Sequence, residues 1–211
     1  MSASAIAIPR RRGARGPLPG NHRERLLEGM AAAIRQHGFQ RTTLADVVRE
    51  ARASRRTFYA YFSDPVDCYV AVLESFSDEV MRAIEEAMSA EGTLGERLDR
   101  AVGSFLDALE RDPLLTRSFF NELHLTGPRG ERLKRSVNER AGRMIHRLAD
   151  EARRENPGLG LHPISVETAR MIAAGIMEMA HIQQEEGRSL RGVRTTATAL
   201  LRRLVLAPEV G

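Results

Sequence analysis

Residues 42–62 read TTLADVVREARASRRTFYAYF, and their spacing predicts two short helices joined by a tight turn. Thr43 stands three residues before Asp46, the arrangement in which a hydroxyl and a carboxylate satisfy the free N–H groups at a helix start. Leu44, Val47, Val48 and Ala51 then share one face. Only Arg52 and Ala53 separate this run from Ser54, a second cap residue. Within Ser54–Phe62 two adjacent arginines stand beside two tyrosines and two phenylalanines, although aromatic residues make up only 5% of the chain.

Working outward, Leu26, Leu27, Met30, Ile34 and Phe39 form a helical stripe, with Asn21 and Glu24 as cap and third-position partner and Gly38 as the stop, which predicts a helix of about 16 residues. The helix begun at Ser54 closes at Asp64, because Asp suits a cap and Pro65 the first position of the next helix. Everything beyond reads helical: 65–90; a helix opened by Thr93 and Glu96 and ended before Pro113; one from Asp112 to near Gly127; a long one up to Asn156; then 165–186 and 190–206. The expected fold is all-α, with about nine helices. Residues 21–64 form a three-helix domain with its helix-turn-helix at 43–62, residues 1–20 a flexible basic arm, and residues 65–211 a larger helical bundle.

Charge locates the partner. Residues 1–64 carry 12 Arg against 5 Asp plus Glu, while the rest carries 20 basic against 23 acidic residues, so the first third alone calls for a polyanion. With no run of about 18 apolar residues and no secretory pattern at the N-terminus, the expected address is the cytoplasm. Cys68 is the only cysteine among 211 residues, which excludes an intramolecular disulfide and fits a small apolar helix residue. Of the 32 basic residues only Lys134 is lysine, so each arginine must be placed by local geometry before it counts.

The helix-turn-helix answers the charge. A helix capped by Ser54 would enter the major groove with Ser54, Arg55, Arg56 and Thr57 in its first turn, the part that meets base edges, while Tyr59 and Tyr61 reach phosphates. Phe58 and Phe62, four apart, would hold it from behind. Arginines in a first turn oppose the positive helix terminus at about 0.3 to 1 kcal/mol each, a local rule broken without benefit to folding. Adjacent side chains diverge by about 100°, so Arg55 and Arg56 serve different targets, one guanine and one phosphate.

The segment from Thr42 to Leu73, TTLADVVREARASRRTFYAYFSDPVDCYVAVL, resembles the N-terminal signature of TetR-family transcriptional regulators. The resemblance implies a ligand-released homodimeric repressor on a palindromic operator, with duplex contacts at Thr43, Ser54, Arg55, Arg56, Thr57, Tyr59 and Tyr61. Two positions depart from the family. Arg52 stands where glycine is usual, so either a left-handed non-glycine residue is tolerated or the turn has another shape, and its side chain could meet phosphate. Pro65 replaces a common Lys, which removes one expected phosphate contact. The arginines of the arm, Arg10, Arg11, Arg12 and Arg15, suit either a disordered tail or a minor-groove contact.

In the larger part, Phe105, Phe119, Phe120, Asn121, His124, Met144, Met171 and Met177 are the candidate ligand-binding residues, with Asn121 and His124 as polar contacts. Ala169, Ile172, Ala173, Ile176 and Ala180 form a small-residue stripe expected at a dimer interface, with Leu200, Leu201, Leu204 and Val205 as bulk. Two rival readings are an architectural DNA-binding protein without an effector and a metal-binding helical-bundle enzyme. The second rests on Glu178 and His181, which have the spacing of a bundle di-metal site but no second such pair. No catalytic motif, cofactor or metal site is expected.

Overall fold

Thr43, Ser54, Asp112 and Ser165 each accept a hydrogen bond from the backbone N–H three residues on, and at each a helix begins. The computed structural model describes residues 22–206, so the basic arm and the Asn21 cap lie outside the described residues. Among those described there are nine α-helices and no strand: α1 His22–His37, α2 Leu44–Glu50, α3 Arg55–Tyr59, α4 Pro65–Ser89, α5 Leu94–Arg111, α6 Pro113–Arg117, α7 Pro128–Glu155, α8 Val166–Glu185 and α9 Arg191–Leu206. The expected all-α fold is the observed one.

Two expected helices are shorter than the sequence suggests. α3 ends at Tyr59, because the N–H groups of Tyr61 and Phe62 both return to the Phe58 carbonyl and the chain turns toward Pro65, whose ring disfavours helical geometry in the residue before it. The segment expected as one helix from Asp112 to Gly127 is α6, a π turn at Ser118–Glu122 and a 3-10 turn at Leu123–Thr126. Within the π turn the Ser118 hydroxyl donates to the Glu122 carboxylate at 2.6 Å, a side-chain bond lying alongside the widened backbone ladder. Phe39 also leaves the α1 stripe: Gly38 at φ 74° ends the helix, and the Phe39 ring stacks on Tyr69 with centroids 3.6 Å apart.

The described chain divides into two compact units, one of residues 22–79 and 109–134, the other of 80–108 and 135–206. In the first, Leu26, Leu27, Met30 and Ile34 of α1 are buried, as are Val47 of α2, Phe58 of α3 and Cys68, Tyr69 and Leu73 of α4. α1 and α2 cross closely at Gly29, where an added Cβ would lie 2.7 Å from the Val47 carbonyl oxygen and from the Ala51 nitrogen. Only glycine allows that backbone approach.

In the second unit the buried core includes Leu94, Leu98 and Ala101 of α5, Met144, Leu148 and Ala152 of α7, and Ala169 and Ile172 of α8. The small-residue stripe of α8 therefore does not form the exposed face expected of it: Ala169, Ile172, Ala173 and Ala180 are buried within their own chain. At 100° per residue the opposite face carries Met171, Gly175, Met179 and Ile182, all exposed.

Candidate nucleic-acid interface and effector cavity

At the start of α2, Thr43 and Asp46 complete a capping box: the Thr43 N–H donates to the Asp46 carboxylate at 3.0 Å and the Asp46 N–H to the Thr43 hydroxyl at 3.3 Å. The Thr43 hydroxyl, with help from the Thr43 N–H and Arg49, holds the Asp46 carboxyl at about 2, well below the usual carboxylate value. α2 ends in a Schellman motif, in which the Arg52 N–H reaches the Arg49 carbonyl at 3.1 Å and the Ala53 N–H the Val48 carbonyl at 2.9 Å. Arg52 takes the left-handed position at φ 48°, the one non-glycine residue of positive φ among those described. The left-handed alternative is thus the one adopted, and glycine's usual place is filled by a cation.

Ser54 then caps α3, its hydroxyl accepting from the Thr57 N–H at 3.0 Å. No acidic residue sits in the first turn of α3, so Arg55 and Arg56, both exposed, add their charge to the positive helix terminus. Phe58 is fully buried and Phe62 nearly so, with ring centroids 5.6 Å apart. Tyr59 and Tyr61 stay 56% and 45% exposed, which leaves their hydroxyls to solvent. Thr43, Arg52 and Ser54 are exposed too, and Thr57 is half-buried with its hydroxyl 2.9 Å from that of Ser54. All eight residues expected at the duplex lie in the span from the α2 cap to the turn after α3.

Polar links between residues far apart in the chain support this head. Arg35 donates twice to one oxygen of Asp112, at 2.8 and 2.6 Å, while the other Asp112 oxygen caps α6 through the Leu115 N–H. Glu122 accepts from the Phe39 N–H at 3.1 Å and from Ser118, whose carbonyl in turn takes the Tyr69 hydroxyl at 3.0 Å. Burial pushes the Tyr69 phenol up. Arg129 forks onto both oxygens of Asp64, the α4 cap, at 2.7 and 2.8 Å; burial works against the charge of Asp64, but Arg129 and the Asp67 N–H outweigh it and lower its carboxyl. Tyr69–Ser118, Asp64–Arg129, Arg35–Asp112 and Phe39–Glu122 join residues 49 to 83 apart in sequence, too far for any local spacing rule. Cys68 is buried, and burial pushes its thiol up to about 12, so it packs as the small apolar residue expected.

Within the second unit α4, α5, α7, α8 and α9 line a half-open cavity. Three of the candidate ligand-binding residues, Phe105, Met144 and Met177, are among the side chains that line it. The other five candidates lie elsewhere. Phe119, Phe120, Asn121 and His124 belong to the first unit, with Phe119 buried and His124 exposed. Met171, 75% exposed, lines a separate groove with Met179 of α8 and Val193 and Leu200 of α9. Ala101, Ala141, Ala149 and Ala152 line the cavity and escaped the sequence reading. Their one signal is small size at core-facing positions of otherwise bulky helices.

His181 lies 3.3 Å from Glu185 and 4.0 Å from Glu178, and Glu178 is 68% exposed. Among the described residues no three His, Cys, Asp or Glu side chains are gathered as a metal site. Nor is any described helix long and apolar enough to cross a membrane.

The sequence model for bacterial regulatory proteins of the tetR family matches residues 26–72, from α1 to the first turns of α4. A transcriptional activator, FasR of Mycolicibacterium smegmatis, is 26% identical over 180 residues, which cover 81% of this chain and 78% of that protein. The transcriptional repressor KstR of the same organism is 30% identical over 94 residues, 44% of this chain and 46% of KstR. The fatty acid degradation regulator FadR from Bacillus halodurans has the same fold, with a TM-score of 0.71 over 90% of this chain and 96% of that one at 17% identity. The exposed, arginine-tipped α3 lies inside the segment that matches the tetR-family model, and over most of its length the chain is similar to transcriptional regulators of that kind.

Proposed function

We propose that this regulator is a ligand-released homodimeric repressor that reads a palindromic operator with α3. The observation that carries the reading is the exposure of Arg55 and Arg56 on the first turn of a helix whose next aromatic residue, Phe58, is fully buried. A helix seated in this way presents its first turn to base edges. Ser54, Arg55, Arg56 and Thr57 contact bases or the adjoining phosphates, and Thr43, Arg52, Tyr59 and Tyr61 grip the backbone. One of the two arginines takes guanine O6 and N7.

The domain limits follow from these roles: a basic arm at 1–20, the DNA-binding domain at 21–64, and the effector and dimerisation part at 65–211. Two half-sites one helical turn apart need a two-fold protein. The exposed apolar face of Met171, Met179 and Ile182 on α8 and Leu200 on α9 supports a second copy of this chain as its occupant, with Gly175 admitting close helix approach. The effector enters the cavity of the second unit and moves α4, the 25-residue helix that starts at Pro65 just after α3, so that the two reading heads change their separation. Effector and DNA oppose each other by linkage, with a coupling of about 1 to 3 kcal/mol. The protein acts in the cytoplasm, on DNA and without catalysis.

Selection of bound sites from random DNA tests the reading and is expected to return a short palindrome. Uniform coating of DNA in its place would mark an architectural protein. Arg55→Ala and Arg56→Ala are each expected to weaken binding to the selected site, and at least one to relax preference at a single base pair, at about 1 to 3 kcal/mol for the bidentate contact. Sedimentation of the free protein checks the dimer, and a monomer at operator-binding concentrations would defeat the palindromic reading.

A further inference from the structure

Every side chain lining the cavity of the second unit is Ala, Val, Ile, Leu, Met or Phe. A polar group entering this space leaves water and finds no hydrogen-bond donor or acceptor on any lining side chain, so whatever part of a ligand enters must be hydrocarbon. The space is also long. Its lining on α5 extends from Leu94 to Phe105 and on α7 from Ala141 to Ala152, and eleven residues at the helical rise span about 16 Å on each helix.

Four positions make room for it. Ala101 of α5 and Ala141, Ala149 and Ala152 of α7 line the space among Leu98, Met144 and Leu148, so a void stands where leucines at the same positions would close the core. Helices in a soluble unit normally fill such positions to interior density.

We propose that the cavity holds a single extended hydrocarbon chain whose polar head stays outside the lined space, and that Ala101, Ala141, Ala149 and Ala152 determine the chain length it accepts. The proposal rests on reading the second unit as the effector-binding part. At the advance per bond of an extended chain, about 1.2 Å, the lined length takes about 13 carbons. Affinity for a homologous series therefore rises about fourfold per methylene, the equivalent of about 0.8 kcal/mol, and levels off once the walls are covered. The alanines act as a ruler, because a leucine there adds carbons to the wall that the ligand must give up.

The test uses the full chain and a series of saturated n-alcohols spanning about 6 to 18 carbons, measured by displacement of an apolar fluorescent dye. The chain has no tryptophan to confuse the readout. The expected result is a logarithmic rise in affinity up to about 13 carbons, then a plateau, with Ala152→Leu moving the plateau shorter by about three carbons. Ala141→Leu, at a half-buried position toward the Phe105 end, repeats the test from the other side if Ala152→Leu does not fold, as judged by its melting transition. Affinity independent of chain length, tighter binding of a compact polycyclic hydrocarbon, or no binding by any member would overturn the proposal. Release from the selected DNA site is read separately. Chain binding with the expected length dependence but without release upholds the chain assignment and defeats the effector reading of the previous section.

Discussion

In the first unit Arg35, Asp112, Glu122, Ser118 and Tyr69 tie short helices together through directional bonds, whereas in the second the buried core cluster is hydrocarbon and ion pairs such as Arg147–Glu85 and Arg202–Asp99 lie at the surface. Hydrogen bonds fix distance and angle; apolar contact is non-directional and tolerates rearrangement. A part that must present side chains to a duplex to within a fraction of a bond length has use for the first kind. A part that must open for a guest has use for the second. The two units thus divide one chain by the type of force that serves each task.

The same addition at one site in each unit gives the sharpest contrast. Gly29→Ala drives a methyl group against two backbone atoms of the α2 segment at 2.7 Å, and a backbone crossing cannot relax as a side chain can, so we expect a loss of about 3 kcal/mol by urea unfolding. Ala149→Leu adds three carbons to a wall of the empty space and is expected to change stability by less than about 1 kcal/mol. Equal costs at the two sites would break the comparison. Next in size, Arg35→Ala leaves the Asp112 carboxylate buried at 5% exposure with only a backbone N–H. Because Arg35 itself is 27% exposed, the expected loss is about 2 kcal/mol, short of the full cost of an unpaired buried charge. Arg202→Ala, on the 44% exposed pair with Asp99, should cost less than about 0.5 kcal/mol.

The sequence made the local devices of both units legible and the long-range ones opaque. Thr43 and Ser54, and in the second unit Thr93 with Glu96, are readable as helix starts because a cap is decided within four residues. Arg55 and Arg56 stood out because first-turn cations contradict the helix dipole and so need a reason. Glu122 reads as an ordinary surface acid in its own segment, and only the fold brings it to the Phe39 N–H, 83 residues away. His124 and Asn121 read as polar contacts beside phenylalanines, yet neither lines the cavity, whose wall is hydrocarbon. The α8 stripe of Ala169, Ile172, Ala173 and Ala180 shows the converse: small residues mark close packing but not the partner, which here is the same chain.

A smaller effect separates the capping network from the rest by pH. Asp46 titrates near 2 in the folded state because the Thr43 hydroxyl, the Thr43 N–H and Arg49 favour its charged form. A lowered folded value means that its contribution is complete above the ordinary carboxylate value of 3.8 and is lost as pH falls from there through about 2. The melting temperature of Asp46→Asn should therefore lie below that of the parent protein at pH 5, and the gap should close as pH approaches 2. A gap that stays constant across that window would show that the carboxylate's charge is not what holds the α2 start.

Arg52→Gly is the one change expected to stabilise the fold, and it tests whether the turn is built for the fold or for the duplex. At φ 48° an L residue carries left-handed strain of about 1 to 2 kcal/mol that glycine does not. The greater freedom of glycine in the unfolded chain takes back about 0.4 to 1 kcal/mol of that relief. The net change should be a stabilisation of about 0 to 1.6 kcal/mol, so the Schellman turn loses nothing by the exchange. Binding should behave differently: if Arg52 neutralises a phosphate, the slope of log affinity against log salt becomes shallower by about 0.9 in the glycine variant. A more stable protein with a shallower salt slope would mean that strain at the turn is kept because the cation faces DNA. An unchanged slope would make Arg52 a tolerated residue of the turn and move its role from the duplex to none.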